Sequence, residues 1–396
     1  MRAKPCGLNL HTMGTATTAA GEPPGRESTG PLTGFTVGVT AARRREELVA
    51  LLRRRGARVI AAPTLRILPL DDDGALRRAT GRCLAGPLDY VVATTGVGWR
   101  GWMSTAEGWG QGARLARACQ EAVVLTRGPK ATGAVRASGL DETYSPRSEA
   151  CDELLSWLLA RELRGRRIAV QEHGAPLDGF AAALRERGAE VIEVPVYRWA
   201  PPEDPDAVRR LVEQTVRREV HALTFTSAPA ITAFLDAADE VGLRTEVLAA
   251  LRDDVMPVCV GPLCARPLED VGVPTVSPER GRLGSLVRTI AEALPARNRR
   301  ELDTGTQTVV LQGNAVLVDG EAFWLPPVPA AVLRALAERP GWVLSRADLL
   351  RRVWAGSAPD EHAVEAAVGR LRGALGPHAG LVRTIPKRGY RLAVST

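Results

Sequence analysis

Residues 55–67 read RGARVIAAPTLRI, and residues 187–199 read RGAEVIEVPVYRW. No other feature constrains the fold as much, because self-similarity at long spacing means one supersecondary plan used twice. Two further pairs follow in the same order. DYVVATTGVGWRGW at 89–102 answers VHALTFTSAPAITAF at 220–234, and RGPKATGAVRASGL at 127–140 answers VGPLCARPLEDVGV at 260–273. Each copy of the first pair follows a segment of helical period (44–54, 179–186) and an earlier apolar run (36–39, 168–170). Short apolar runs alternating with helical segments and ending in Gly, Ser or Thr are the pattern of parallel βαβ units. The expected fold class is α/β, with two similar doubly wound parallel-sheet lobes covered by helices on both faces.

In such sheets ligands bind beyond the carboxyl ends of the strands. Those ends carry Thr94, Thr95, Gly96, Thr126, Gly128, Thr226, Ser227 and Gly261. Hydroxyls and free backbone N–H groups ahead of a helix hold carboxylates or phosphates. The same residues would equally serve as helix caps.

Two stretches lack periodicity. Residues 1–33, rich in Gly, Thr, Ala and Pro, read as a disordered tail. Residues 294–305, polar and charged around PARNRRELDTG, read as an interdomain linker. Beyond it, 308–318 and 321–325 alternate about an Asp319-Gly320 turn, which predicts a small antiparallel sheet. Helical stretches follow at 328–338, at 345–354 with Ser345 as N-cap, and at 361–375. Then 381–385 and 390–394 flank Pro386-Lys387-Arg388-Gly389, a basic hairpin. Sheet, three helices and a basic wing make a winged helix-turn-helix domain over 306–396.

On the third helix Val364, Val368, Leu371 and Leu375 form the buried stripe. His362, Glu365, Ala366, Gly369, Arg370 and Arg372 fall on other faces, open to a major groove. The formal net charge is +7, and residues 370–391 hold six basic residues and no acid. That one-signed stretch is a footprint for phosphate, so the partner is duplex DNA. His362, Arg370, Arg372, Arg383, Lys387, Arg388 and Tyr390 are the candidate DNA contacts.

Other classes are excluded. Six cysteines stand at 6, 83, 119, 151, 259 and 264 with no CxxC and no clustered His, which argues against zinc and a disulfide framework. No apolar run reaches the ~18 residues of a membrane span, and no secretory h-region precedes the fold, so a cytoplasmic protein that makes no membrane contact is expected. Of 52 basic residues only Lys4, Lys130 and Lys387 are lysine, a bias that fits a GC-rich bacterial genome.

WVLSRADLLRRVW, DEHAVEAAVGRLRGAL and VRTIPKRGYRL resemble the effector domain of OmpR/PhoB-type response regulators. The resemblance implies direct-repeat operators, commonly bound as a dimer. Ala367 and Gly369 depart from the family's polar or basic positions, which implies fewer base contacts. No phosphoryl-accepting receiver is present, since the first strand ends in Thr40-Ala41 and 93–95 read Ala-Thr-Thr.

The lobes resemble uroporphyrinogen-III synthase over about residues 35–293, on GVTAARRREELVALLRRRGARVIAAPTLRI, Thr226-Ser227-Ala228-Pro229-Ala230, CVGPLCA and VPVYRWAPP. That family's chain leaves the first lobe, builds the second and returns through two linker strands. The implied division is 34–64 and 198–293 for the first lobe and 65–197 for the second. The resemblance implies a cofactor-free reaction, in which hydroxymethylbilane loses its hydroxyl and closes with ring D inverted. Tyr197 matches a family tyrosine that assists departure of the hydroxyl, and packing of the linker is its other reading. Thr94, Thr95, Thr126, Lys130, Thr226, Ser227, Gly261 and Pro262 are the implied substrate contacts. Cys264 stands where the family often has a hydroxyl, which weakens carboxylate binding there.

Three functions fit this fusion. The first is a regulator whose lobes sense a linear tetrapyrrole or another polycarboxylate, similar to nitrate and nitrite assimilation regulators of high-GC bacteria. The second is an active synthase, a lyase of tetrapyrrole biosynthesis, that also binds DNA. The third is a degenerate lobe pair that dimerises or contacts another regulator.

Overall fold

The computed structural model describes residues 30–70, 72–303, 307–354 and 360–393. The chain lays down β1 (Thr36–Val39) and β2 (Arg58–Ala61), then crosses on β3 (Arg66–Pro69). It builds β4 (Tyr90–Ala93), β5 (Val123–Thr126), β6 (Arg167–Gln171) and β7 (Glu190–Val194) and returns on β8 (Tyr197–Ala200). Strands β9 (Ala222–Phe225) and β10 (Met256–Cys259) complete the α/β region. Two four-stranded parallel sheets result, ordered β10-β9-β1-β2 and β5-β4-β6-β7, and the crossings β3 and β8 pair antiparallel.

The alternation of side chains along each strand feeds two cores per sheet. Val37 and Val39 pack one face of the first sheet with Leu286 and Ile290, while Leu223 and Phe225 pack the other with Phe234 and Leu251. In the second sheet Val91 and Ala93 join Trp99 and Trp102, and Val92 joins Leu154 and Leu184 on the opposite face.

The duplication is split between the lobes. The first copy supplies β1 and β2 to one sheet and β4 and β5 to the other; the second supplies β6 and β7, then β9 and β10. Each lobe is therefore built from half of each repeat.

The remaining strands are β11 (Arg299–Asp303), β12 (Thr308–Gln312), β13 (Ala315–Val318), β14 (Glu321–Trp324), β15 (Val382–Ile385) and β16 (Gly389–Leu392). The first four form an antiparallel sheet and the last two a wing hairpin. Helices Pro327–Ala337, Arg346–Val353 and Glu361–Leu375 lie between them. Asp319 (φ 49°) and Gly320 (φ 88°) make the tight turn their residue types predict. Ser345 caps the second helix in a capping box with Asp348. A single core from Leu302 to Leu392 holds this unit together.

Two expectations are corrected here. The expected linker 294–305 is not free over 294–303, where helix Leu283–Asn298 runs through Pro295 and β11 pairs with β12 from Arg299 to Asp303; 304–305 lie outside the described residues. Leu294 is fully buried and Leu302 nearly so, which anchors that segment despite its charged neighbours. The tail reading fails at 30–33, where a turn buries Leu32 completely and Thr33 almost so; residues 1–29 lie outside the described residues, as does Val394 of the expected wing strand.

The first lobe and the winged-helix unit are docked. The Gln312 side-chain amide donates to the carbonyls of Pro31 (3.0 Å) and Thr33 (2.7 Å), and the Asn314 N–H donates to the Gly34 carbonyl at 2.7 Å. Gly34 sits at φ 90°, and any Cβ there would overlap the Gln312 carbonyl, so only glycine permits this approach. The guanidinium of Arg58 lies 3.8 Å from the centre of the Trp324 ring.

Candidate functional site

Thr95 is the node of the second lobe's cleft. It precedes helix Gly96–Gly108, and its hydroxyl accepts the Gly98 N–H at 3.1 Å as N-cap. The same oxygen accepts from the Gln171 amide at 3.0 Å and lies 3.4 Å from the Tyr197 hydroxyl. Gln171, at the end of β6, is fully buried, and a Cβ on Gly98 would overlap its amide nitrogen. Small residues after β4 are thus required by the network that Gln171 reaches across to make.

Tyr197 is nearly buried at the start of β8, so desolvation raises its phenol above the ordinary value; the Thr95 contact and the charges of Arg127 and Arg43 oppose that rise. The hydroxyl therefore remains a proton-bearing donor at neutral pH. His173 follows β6 and meets Trp199 edge-on at 5.7 Å. Burial, then the Arg127 charge, lowers its imidazole to about 4, and its buried Nδ1 has no hydrogen-bond partner. Arg127 of the second lobe and Arg43 of the first both lower the Tyr197 phenol electrostatically, so charges from both lobes bear on the start of crossing β8. Two guanidiniums, a neutral phenol and a neutral imidazole can take carboxylates and donate hydrogen bonds to them.

The residues expected from the sequence divide. Thr94 and Thr126 are buried and their hydroxyls are engaged internally, with the Gln171 carbonyl and with Thr132. That corrects their reading as ligand contacts. Thr226 and Ser227 are half-exposed ahead of helix Ala228–Glu240, and Ser227 makes no side-chain cap bond. Lys130 and Pro262 are exposed, and Gly261 is half-exposed ahead of helix Pro262–Glu269. Cys264 is buried beside Cys259, whose thiol it raises, and so does not face the cleft. Gln171, His173, Arg127 and Arg43 escaped the sequence reading. The repeat could have found them: β6 occupies the position in its sheet that β1 occupies in the other, so the residues after both strands reach the same cleft.

On the reading helix Glu361–Leu375, His362 and Arg370 are exposed, as are Arg383, Lys387 and Arg388 on the wing. Lys387 turns the hairpin at φ 62°. Arg372 instead donates to the Val382 carbonyl (2.8 and 3.1 Å) and the Thr384 hydroxyl (2.8 Å), tying helix to wing. Tyr390 is buried in the core with its backbone paired to Leu344. These two are corrected from DNA contacts to supports. Ala367 is also fully buried, so its small side chain answers to packing, whereas Gly369 is exposed.

Among the described residues no group of three or more His, Cys, Asp or Glu is placed to hold a metal, and no helix is long and apolar enough to cross a membrane.

Two parallel-sheet lobes joined by paired crossing strands and followed by a winged helix-turn-helix define a two-lobed α/β protein with a DNA-binding domain. The family model of uroporphyrinogen-III synthase HemD matches residues 46–288, and that of the transcriptional regulatory protein C-terminal domain matches 320–392. The chain belongs to the uroporphyrinogen-III synthase HemD family, fused to an OmpR/PhoB-type DNA-binding domain. It is similar to a mutant uroporphyrinogen III synthase from the extremely thermophilic bacterium Thermus thermophilus, with 30% identity and a TM-score of 0.58 over 66% of this chain and 100% of that one. The Bacillus subtilis (strain 168) protein YjjA is 26% identical over 265 residues, 66% of this chain and 96% of its own. Transcriptional regulatory protein AfsQ1 of Streptomyces coelicolor is 32% identical over 122 residues, 30% of this chain and 54% of its own. The fusion makes the protein a DNA-binding regulator.

Proposed function

We propose that the cleft binds a polycarboxylate of the linear tetrapyrrole class and that its occupancy sets operator affinity, in the cytoplasm where the DNA is. The docking of the DNA-reading domain on one lobe carries this reading: the Gln312, Asn314 and Arg58 contacts make the first lobe and the winged helix move together when the lobes close. Arg43 and Arg127, from opposite lobes, supply charges that a polyanion would draw together. Arg370, Arg383, Lys387 and Arg388 would contact DNA, and direct-repeat operators would be read by a dimer.

The test is operator affinity of the full chain with and without hydroxymethylbilane or uroporphyrinogen. A shift of about fivefold or more is expected, lost in Arg127→Ala, and unchanged affinity would sink the reading. A second reading, a working synthase, is favoured by Tyr197, a protonated donor held 3.4 Å from Thr95. Enzymic type III product from hydroxymethylbilane, lost in Tyr197→Phe, would establish it; spontaneous type I product alone would exclude it.

A further inference from the structure

Three donors converge on one oxygen in the second lobe. The Gly98 N–H (3.1 Å), the Gln171 side-chain amide (3.0 Å) and the Tyr197 hydroxyl (3.4 Å) are all directed at Thr95 Oγ1. A threonine hydroxyl offers two lone pairs, so one of the three donors is in surplus. The surroundings decide which. The Gly98 N–H belongs to the first turn of helix Gly96–Gly108 and cannot turn away. The Gln171 amide is fully buried, and its Nε2 also donates to the Glu172 carbonyl at 2.6 Å. Its Oε1 faces the Thr95 N–H at 3.4 Å, so a flipped amide would set donor against donor there. Both of these donors are therefore locked onto Thr95.

The phenol makes the longest of the three contacts, and its hydrogen alone is free to rotate about a C–O bond. Tyr197 stands at the start of crossing β8, where the chain returns between the lobes, and keeps 9% of its surface open. Among the described residues its hydroxyl has no hydrogen-bond partner besides Thr95.

We infer that Gln171 is a positioning residue: by filling the second lone pair of Thr95 it denies that oxygen to Tyr197 and leaves the phenol proton for a carboxylate or hydroxyl oxygen of the bound ligand. The inference rests on the cleft reading proposed above. Without Gln171, Thr95 takes the phenol for itself; without the Thr95 hydroxyl, nothing competes for it. Two members of one network thus have opposite effects on the same proton, which a network that only holds the cleft in shape does not produce.

The test measures what Tyr197→Phe costs the full chain in uroporphyrinogen affinity, in the wild type, in Thr95→Val and in Gln171→Met. In the wild type and in Thr95→Val the loss is about tenfold or more, that of one hydrogen bond to an ionised acceptor. In Gln171→Met it falls within about twofold, because Thr95 has already taken the phenol. The infrared C–O stretch of isotope-labelled tyrosine, isolated by difference against Tyr197→Phe, reads the phenol directly. Without ligand it lies at the position of a non-donating phenol in the wild type and in Thr95→Val. It rises to that of a donating phenol in Gln171→Met, and in the wild type when uroporphyrinogen binds. A ligand-free wild-type band already at the donating position, an unmoved band in Gln171→Met, or an undiminished cost of Tyr197→Phe in that background overturns the inference. Should Gln171→Met not fold, Thr95→Val decides: a risen band, or loss of the tyrosine's contribution there, overturns it. If the wild type binds no uroporphyrinogen, the cleft reading fails, and the ligand-free bands still decide whether Gln171 keeps the phenol from Thr95.

Discussion

Gln312→Ala tests whether the DNA-reading unit is fastened to the first lobe or merely adjacent to it. The wild-type side chain is 5% exposed and supplies both donors to the Pro31 and Thr33 carbonyls, at 3.0 and 2.7 Å. Alanine deletes two hydrogen bonds worth about 1 kcal/mol each and leaves the Thr33 carbonyl, whose residue is nearly buried, without that donor. The expected loss is about 2–4 kcal/mol in the full chain, or a factor of roughly 30–1,000 in the docking equilibrium. The fragment 299–396 contains its whole core, from Leu302 to Leu392, and lacks both carbonyls. There the same substitution acts on a water-facing side chain and should cost under about 0.5 kcal/mol. Urea titrations of chain and fragment, each with and without the substitution, give the difference directly. Equal losses in both, or a loss under about 0.5 kcal/mol in the full chain, would refute fastening through Gln312.

Other consequences can be checked separately. Arg370→Ala should weaken operator binding by about 1–3 kcal/mol in a gel shift with the fold intact. Arg372→Ala should instead lower the urea midpoint, since it deletes the bonds to Val382 and Thr384; the reverse pattern would contradict the assignment. Thr95→Ala should cost about 1 kcal/mol through loss of the Gly98 cap; an unchanged urea midpoint would remove Thr95 as the node. His221, edge-on to Phe35 at 5.4 Å, accepts the Thr36 N–H on Nδ1, and burial, then Arg334, lowers its imidazole to about 4. The unfolded chain then binds the extra proton between pH 6.5 and about 4, so this contribution, roughly 3 kcal/mol, is present above pH 6.5 and lost as pH falls through that window. Urea midpoints of wild type and His221→Asn should diverge less at pH 4 than at pH 7, and a constant gap would refute it.

Much of the architecture was legible in the sequence because local rules act over a few residues. The βαβ periodicity, the Asp319-Gly320 turn, the Ser345 cap and the stripe of Val364, Val368, Leu371 and Leu375 each depend on neighbours within one or two turns. The repeat at 55–67 and 187–199 showed that one plan was used twice. Which partner covers a given face is a long-range matter, and only the tertiary structure decided it. Tyr390 looked available on its own strand but is covered by the core, and Arg372 is drawn to the wing by a carbonyl that sequence does not place beside it. The charged stretch after Pro295 became helix and edge strand because Leu294 and Leu302 found burial. Gln171 and His173 reach the cleft because β6 lies beside β4, with Thr95 at that strand's end, and Gln312 fastens two units because Gly34 lets their backbones touch. Periodicity records which side chains seek cover, and the packed chain alone determines what covers them.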